Sequence, residues 1–310
     1  MLRWRGFESV PTDWGRCVVT IGVYDGVHRG HQVTLRRVID RARSADLPAV
    51  VVTFEPHPLV VLRPGMQVPV LTPLAHKAEL LEELGIDALC IVPFTREFSR
   101  LEPDEFAHHM LVANLHAAAV VVGSNFRFGH RAAGDVDLLA QLGQQFGFAV
   151  ESINLAGAAD TTWSSTYIRS CIEAGDVASA AEALSRPHRV EGDIVRGDRR
   201  GRELGFPTAN LEPLPSSAIP GDGIYAGWMH LAAERVAAAI SVGTNPTFEG
   251  RSRRVEAYAI DREDLDLYGA HAAFSFVERL RDTVKFDSVD GLVAQMSDDV
   301  KRTREILGVP

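Results

Sequence analysis

The chain has 310 residues, enough for two domains and for a core that needs no metal or disulfide staple. Hydrophobic residues make up 46% and charged residues 24%, ordinary globular usage. The formal net charge of -9 argues against a general nucleic-acid or anionic-membrane binder, which needs a cationic surface, and the two halves on either side of Arg186 share the negative excess about equally.

The opening Met1-Leu2-Arg3-Trp4-Arg5-Gly6 leads into no apolar run of signal-peptide type, and no stretch approaches about 18 apolar residues, so no membrane partner is expected. Short apolar runs rich in Val and Ile follow at 17–23, 49–54, 88–92, 117–122 and 148–153. They are continuous rather than alternating, as strands buried on both faces are. Amphipathic stretches lie between them. In 31–45 the residues Leu35, Val38, Ile39 and Ala42 recur at helical spacing. Thr72-Pro73 starts a second helix that runs to the stop at Gly85, Pro103 with Asp104 and Glu105 starts a third, and 135–146 is a fourth. Strands alternating with helices predict a parallel, doubly wound Rossmann-like sheet.

After Ser164 the pattern changes. Two short helices are expected at 165–174 and 176–185, and Arg186-Pro187 reads as a boundary because the residue before proline is pushed out of helix. Strand signals then follow at 190–195, 224–231, 236–242, 254–260 and 272–280, punctuated by Gly, Pro, Asn and Asp. They predict a small antiparallel β-barrel. A closing helix over 288–307 carries Val289, Leu292, Val293, Met296 and Val300 on one stripe. The expected domains are 1–186 and 187–310. The three cysteines, Cys17, Cys90 and Cys171, are widely spaced and include no C-x-x-C pair, which suits free thiols in a reducing cytoplasm.

The first chemical candidate is Gly22-Val-Tyr-Asp25-Gly26-Val-His28-Arg-Gly-His31, where the first strand turns into the first helix. In an open α/β sheet ligands collect at the carboxyl ends of strands, and backbone N–H groups at a helix start bind phosphate. Two imidazoles three residues apart there can both reach one polyphosphate and donate to oxygens whose charge grows as a bond breaks. A zinc site is the rival use of a histidine pair, and no third ligand of suitable spacing is apparent.

This H-x-G-H turn resembles the nucleotidyltransferase superfamily, which transfers a nucleoside monophosphate and releases pyrophosphate. The second hallmark of that group is a hydroxyl-rich helix start, matched here by Ser164-Ser165-Thr166-Tyr-Ile-Arg169. Hydroxyls, N–H groups and one Arg are what a leaving pyrophosphate needs. Two further loops, Thr53-Phe54-Glu-Pro56-His57-Pro58 and Val121-Val-Gly-Ser-Asn125-Phe-Arg-Phe128, follow the second and fourth apolar runs. Together these segments resemble the adenylyltransferase domain of the prokaryotic bifunctional riboflavin kinase/FAD synthetase family. The resemblance implies ATP contacts from Gly22, Asp25, Gly26, His28, His31, Ser164, Ser165, Thr166 and Arg169. It implies FMN contacts from Phe54, Pro56, His57, Pro58, Asn125 and Phe128. Asn125 stands where many members carry Asp, and Tyr24 replaces a common Phe.

The second domain carries Gly192-Asp-Ile-Val-Arg196-Gly197-Asp-Arg199-Arg200-Gly-Arg202-Glu-Leu-Gly205-Phe-Pro207-Thr208-Ala-Asn210. A glycine- and arginine-rich loop can wrap phosphates, and Thr208 and Asn210 offer neutral oxygens on alternate residues, a donor set that suits Mg²⁺. Its plainer readings are a basic surface hairpin or, from the arginines, a nucleic-acid surface, which the acidic balance and the lack of interleaved aromatics disfavour. The G-F-P-T-A-N string resembles the riboflavin kinase signature, and the segments around Tyr225, Asn245 and Glu256 continue it in family order. Tyr258 replaces a common His. On that resemblance Gly197, Gly205, Pro207, Thr208 and Asn210 hold ATP and Mg²⁺, Thr208 and Asn210 being the metal ligands, and Glu256 is the general base. Lys77, Lys285 and Lys301 follow His, Val and Val, so there is no Walker A loop. The implied substrates are riboflavin, FMN and ATP, with FAD as a product rather than a tightly held cofactor. A single-activity nucleotidyltransferase with a flavin-binding or oligomerising barrel is the alternative.

Overall fold

The Val-rich runs of the first half form parallel strands, because their side chains find apolar partners on both faces. The computed structural model describes residues 1–154, 163–197, 204–232, 234–247, 250–262 and 267–310, with the side chains of 245–252 outside that description. By their contacts these residues divide into two compact units. One is Met1–Val68 with Leu74–Trp163; the other is Pro69–Pro73 with Ser164–Pro310.

In the first unit β1 (Leu2–Arg5), β2 (Cys17–Ile21), β3 (Ala49–Glu55), β4 (Ala88–Pro93), β5 (Ala117–Gly123) and β6 (Ala149–Ile153) make a sheet of order β1-β4-β3-β2-β5-β6. Every pairing is parallel. The order reverses between β2 and β5, so the turn that leaves β2 lies at the switch point where α/β sheets bind ligands. Alternate residues of β2 serve opposite faces. Cys17, Val19 and Ile21 join one core cluster, and Val18 joins the other beneath α1 (Arg29–Ser44), whose Leu35, Val38 and Ala42 are fully buried.

The remaining helices of this unit are α2 (Pro58–Leu62), α3 (Leu74–Leu84), α4 (Pro103–Ala107), continued by a π-helical segment His108–Asn114, and α5 (Val136–Phe146). Two elements go beyond the sequence reading. Strand β1 is an edge strand with Trp4 alone buried, so it shows no apolar run. Helix α2 has only five residues, too few for a periodic signal.

The second unit contains α6 (Ser165–Ala174), α7 (Val177–Leu184) and a closed antiparallel barrel. The barrel strands are β7 (His188–Val195), β8 (Thr208–Pro213), β9 (Gly223–His230), β10 (Arg235–Thr247), β11 (Gly250–Ala259) and β12 (His271–Arg281), in the order β10-β11-β8-β7-β12-β9. The sequence suggested five strands. The sixth, β8, is the segment read as a ligand loop, and its single buried residue, Leu211, gives no apolar run.

Helix α8 (Val289–Leu307) closes the chain with Ser288 as its N-cap. Its packing corrects the expected stripe. Val289 is 61% exposed, whereas Asp299 and Thr303 are buried. Asp299 tolerates burial because Arg281 on β12 meets it with two hydrogen bonds, Nε to Oδ1 at 2.9 Å and Nη2 to Oδ2 at 2.6 Å.

His230 on β9 sets a pH dependence for the second unit. Its Nε2 lies 2.9 Å from Ser275 Oγ, and burial, helped by the charges of Arg189 and Arg235, lowers its pKa from 6.5 to about 4. Between these values the unfolded chain binds a proton that the folded chain does not, so acid favours unfolding. The thermal midpoint should fall as pH drops from about 6.5 toward 4 and be level in this respect above that window. His230→Gln should flatten that slope in melts recorded across the range. An unchanged slope would assign it to other groups.

Candidate functional site

The turn after β2 is built from strained backbone held by named bonds. Tyr24 and Val27 sit at φ 51° and 40°, the left-handed region that a β-branched residue such as Val27 rarely enters. Several donors fix the turn. Thr53 Oγ1 and Lys77 Nζ both donate to the Val23 carbonyl, at 2.9 and 2.8 Å, and Gln32 Nε2 donates to the Val27 carbonyl at 3.0 Å. Tyr24 is buried with its hydroxyl 2.6 Å from Thr20 Oγ1, so the oxygen that Tyr adds over Phe has a partner. A Cβ at Gly22 would come within 2.9 Å of the Tyr24 ring.

His28 is the N-cap of α1, and its Nδ1 accepts from the His31 backbone N–H at 3.3 Å. With Nδ1 accepting, a neutral ring carries its proton on Nε2. The two imidazoles stack with centroids 3.6 Å apart, and Tyr24 meets His31 edge-on at 5.0 Å. Burial holds the His31 pKa well below its ordinary value, and the charges of His28 and Lys77 push the same way. His31 Nδ1 is enclosed and has no hydrogen-bond partner among the described residues. Gly30 packs close to the His28 ring, since a Cβ there would lie 3.2 Å from it and 3.4 Å from the Trp163 carbonyl. The site is thus a pair of stacked imidazoles at a helix start, of which His31 is the ring that burial keeps from protonation. Asp25 and His28 are buried beside it.

The expected FMN loops leave β3 and β5, the strands on either side of β2, at the same sheet edge. Phe54 packs edge-on against Phe94 at 5.5 Å. Glu55–Pro56 is a cis peptide, His57 Nδ1 caps α2 by accepting from the Leu59 N–H, and Pro58 opens that helix. Asn125 is exposed. Phe128 is different: it is 4% exposed, in the core, with the Gly134 backbone against its ring. Phe126, half-buried, stacks on Phe128 at 5.6 Å.

The hydroxyl-rich segment belongs by its contacts to the second unit. Ser164 is the N-cap of α6, its Oγ accepting from the Tyr167 N–H at 3.2 Å. Ser165 and Thr166 occupy the first turn, and Arg169 Nε donates to the Pro69 carbonyl at 2.7 Å.

In the barrel, register gathers the second set. Glu256 on β11 lies opposite Asn210 on β8 and Ser241 on β10, and Tyr258 lies opposite Thr208 and Ala239. Thr208 Oγ1 donates to Glu256 Oε2 at 3.3 Å. Glu256, Thr208, Tyr258 and Ser241 line a cavity of about 340 Å³ that Phe206 also borders. Val255, Ala257 and Ala259 alternate with Glu256 and Tyr258 and are buried, so the acid in this apolar strand opens onto a cavity. Gly197 approaches Asn210 so closely that a Cβ would fall 2.4 Å from its side-chain amide. Gly205 takes φ 83°, and Pro207 is half-buried beside Thr208. Arg199, Arg200 and Arg202 lie outside the described residues, as do the side chain of Asn245 and Phe248.

The sequence reading missed the far wall of this cavity, which α8 supplies through Leu292, Met296, Asp299 and Val300. Its one signal was an acid within an apolar helical stripe. Among the described residues no group of three or more His, Cys, Asp or Glu side chains converges. Thr208 and Asn210 point to neutral oxygen donors beside a carboxylate, a set that fits a hard divalent cation.

The chain matches the FAD synthetase family over residues 10–167 and the Riboflavin kinase family over residues 184–307. It is 37% identical over 289 residues to the bifunctional riboflavin kinase/FMN adenylyltransferase of Listeria monocytogenes, covering 93% of this chain and 91% of that protein. It is 35% identical to the Escherichia coli K12 protein of the same name, covering 94% and 93%. A solved structure titled a macrolide-efflux protein from Streptococcus pneumoniae superposes with a TM-score of 0.90 at 31% identity, over 98% of this chain and 99% of that one. Among the described residues no helix is long and apolar enough to cross a membrane.

The Arg281–Asp299 pair fastens α8 over the cavity, with side chains 17% and 5% exposed. Asp299→Ala strands a largely buried guanidinium and should cost about 3 kcal/mol in urea unfolding of the full chain. It should also weaken riboflavin binding measured by fluorescence quenching. Unaltered stability would mean that water replaces the carboxylate at no cost.

Proposed function

The chain belongs to the bifunctional riboflavin kinase/FMN adenylyltransferase family, and from that membership we propose how its residues divide the two reactions. Residues 187–310 phosphorylate riboflavin with ATP to FMN and ADP. Residues 1–186 then join FMN to the AMP moiety of a second ATP, giving FAD and pyrophosphate. The observation that carries the first assignment is Glu256 lining a cavity of about 340 Å³ with Thr208 hydrogen-bonded to it.

In the kinase reaction the ribityl 5′-hydroxyl attacks the γ-phosphorus, the bond to the β-phosphate oxygen breaks, and Glu256 accepts the hydroxyl proton. The cavity beside it, walled by apolar residues of α8 and by Phe206 and Tyr258, suits a flavin ring. Thr208 and Asn210 would hold a Mg²⁺ ion, with Gly197, Gly205 and Pro207 shaping the nucleotide loop. When bound, that ion offsets the charge of the phosphate oxygens.

In the adenylyl transfer an FMN phosphate oxygen attacks the α-phosphorus of ATP and the α–β bond breaks. His28 and His31 donate hydrogen bonds to the phosphate oxygens that gain charge. The N-terminus of α1, with Gly22, Asp25 and Gly26, seats the nucleotide. Ser164, Ser165, Thr166 and Arg169 supply donors for pyrophosphate. FMN is taken by Phe54, Pro56, His57, Pro58 and Asn125, with Phe128 acting from the core through Phe126. The substrates are small molecules, and the three buried free thiols suit a reducing cytoplasm.

Incubating the purified chain with riboflavin and MgATP should yield FMN first and FAD later by chromatography. Glu256→Ala should abolish FMN formation while sparing FAD formation from added FMN. Equal loss of both reactions would contradict the division. FAD formation from supplied FMN without any phosphorylation of riboflavin would reduce the barrel to a binding module.

A further inference from the structure

One buried cation near the first site has no role in the reading above. Lys77, on α3, is 6% exposed, and the chain has only two other lysines, Lys285 and Lys301, among its 32 Lys and Arg residues. Its ammonium donates to a neutral carbonyl, that of Val23, which already accepts from Thr53 Oγ1. Satisfying that oxygen does not require a charge, and burying an ammonium is costly. Burial accordingly pulls the Lys77 pKa down, against the opposing pull of the Asp25 and Glu55 carboxylates. A compact ammonium under the turn instead suits an anion bound above it, because a fixed positive charge in a poorly hydrated site acts strongly on phosphate.

We propose that Lys77 is a positioning residue of adenylyl transfer, clamping the Val23 carbonyl beneath the H-x-G-H turn and adding a fixed positive charge under the phosphates of ATP. The inference rests on reading that turn as the adenylyl-transfer site. Two features of the geometry make the charge necessary. Burial beside His28 and Lys77 keeps His31 from protonation, so that ring offers a hydrogen bond without adding charge. The strained φ values of Tyr24 and Val27 need an anchor that does not exchange with water. The groups facing His31 are His28 from its own turn, Tyr24 edge-on and Lys77 from α3, while Asp25 and Glu55 act on Lys77 in turn.

The test uses the full chain with Lys77→Met, Lys77→Arg and Thr53→Val, the last removing a donor to the same carbonyl without touching charge. FAD formation from FMN gives kcat and the KM for ATP, and the kinase reaction on the same preparations reports whether the chain is folded. NMR follows the His31 ring, assigned through His31→Gln. Lys77→Met should raise the KM for ATP by about tenfold or more and move the His31 titration to higher pH, with the kinase reaction unchanged. Thr53→Val should have a smaller effect on KM and leave the titration in place. An unaltered KM in Lys77→Met, or a Thr53→Val variant that matches it in both readouts, overturns the proposal. If Lys77→Met also loses the kinase reaction, Lys77→Arg decides. A retained KM supports the fixed charge, and a rise of about tenfold overturns it. Should His31→Gln leave FAD formation intact, the site reading itself fails, a result distinct from an inert Lys77.

Discussion

Two imidazole rings stacked 3.6 Å apart at a helix start set the terms for the first site. At that separation a proton on one ring raises the cost of a proton on the other, and burial of His31 adds to it. Capping and stacking therefore fall on the same residues that are proposed to bind phosphate. His28 cannot be replaced without losing its cap on α1, and Gly30 cannot gain a Cβ without pressing on the His28 ring. The left-handed backbone at Tyr24 and Val27 makes the turn tight enough to bring the rings together. The bonds from Thr53, Lys77 and Gln32 hold it there.

The barrel solves a different problem. Its strands alternate buried apolar residues with half-buried polar ones, so a polar row on β8 and β11 needs a roof before it can exclude water. Helix α8 supplies that roof, and a forked arginine–carboxylate contact fixes it to β12. A purely apolar helix would bind the barrel as tightly but with less definite register. The charge pair gives one geometry, because guanidinium and carboxylate planes match in few orientations. Glu256 is accommodated in this apolar strand because it faces the cavity and the Thr208 hydroxyl rather than the barrel core.

Much of this was legible in the residues. The runs at 17–23, 49–54, 88–92 and 117–122 are strands within a residue or two, since a strand buried on both faces has no polar alternation to blur it. Helix α6 starts and stops where Ser164 and Gly175 signal it. Elements with one buried residue, such as β1 and β8, left no trace, because a single Trp4 or Leu211 makes no pattern. Phe128 illustrates the same limit at the site: a motif names a residue without saying whether it touches a ligand or supports its neighbour. Here the Phe128 ring is buried and Phe126 stacks on it.

By itself, the sequence determined the class of both halves, the position of the H-x-G-H turn, the hydroxyl-rich start of α6 and the Thr208, Asn210 and Glu256 set. Local chemistry suffices for these, because turn residues, helix caps and apolar runs act over a few positions. Only the tertiary structure decided that Lys77 comes to lie under the turn, that Asp299 is buried against Arg281, and that α8 walls the cavity. The first two contacts join residues 54 and 18 positions apart and the third joins more distant ones, and no local rule of spacing encodes such partners, since chain topology and packing choose them.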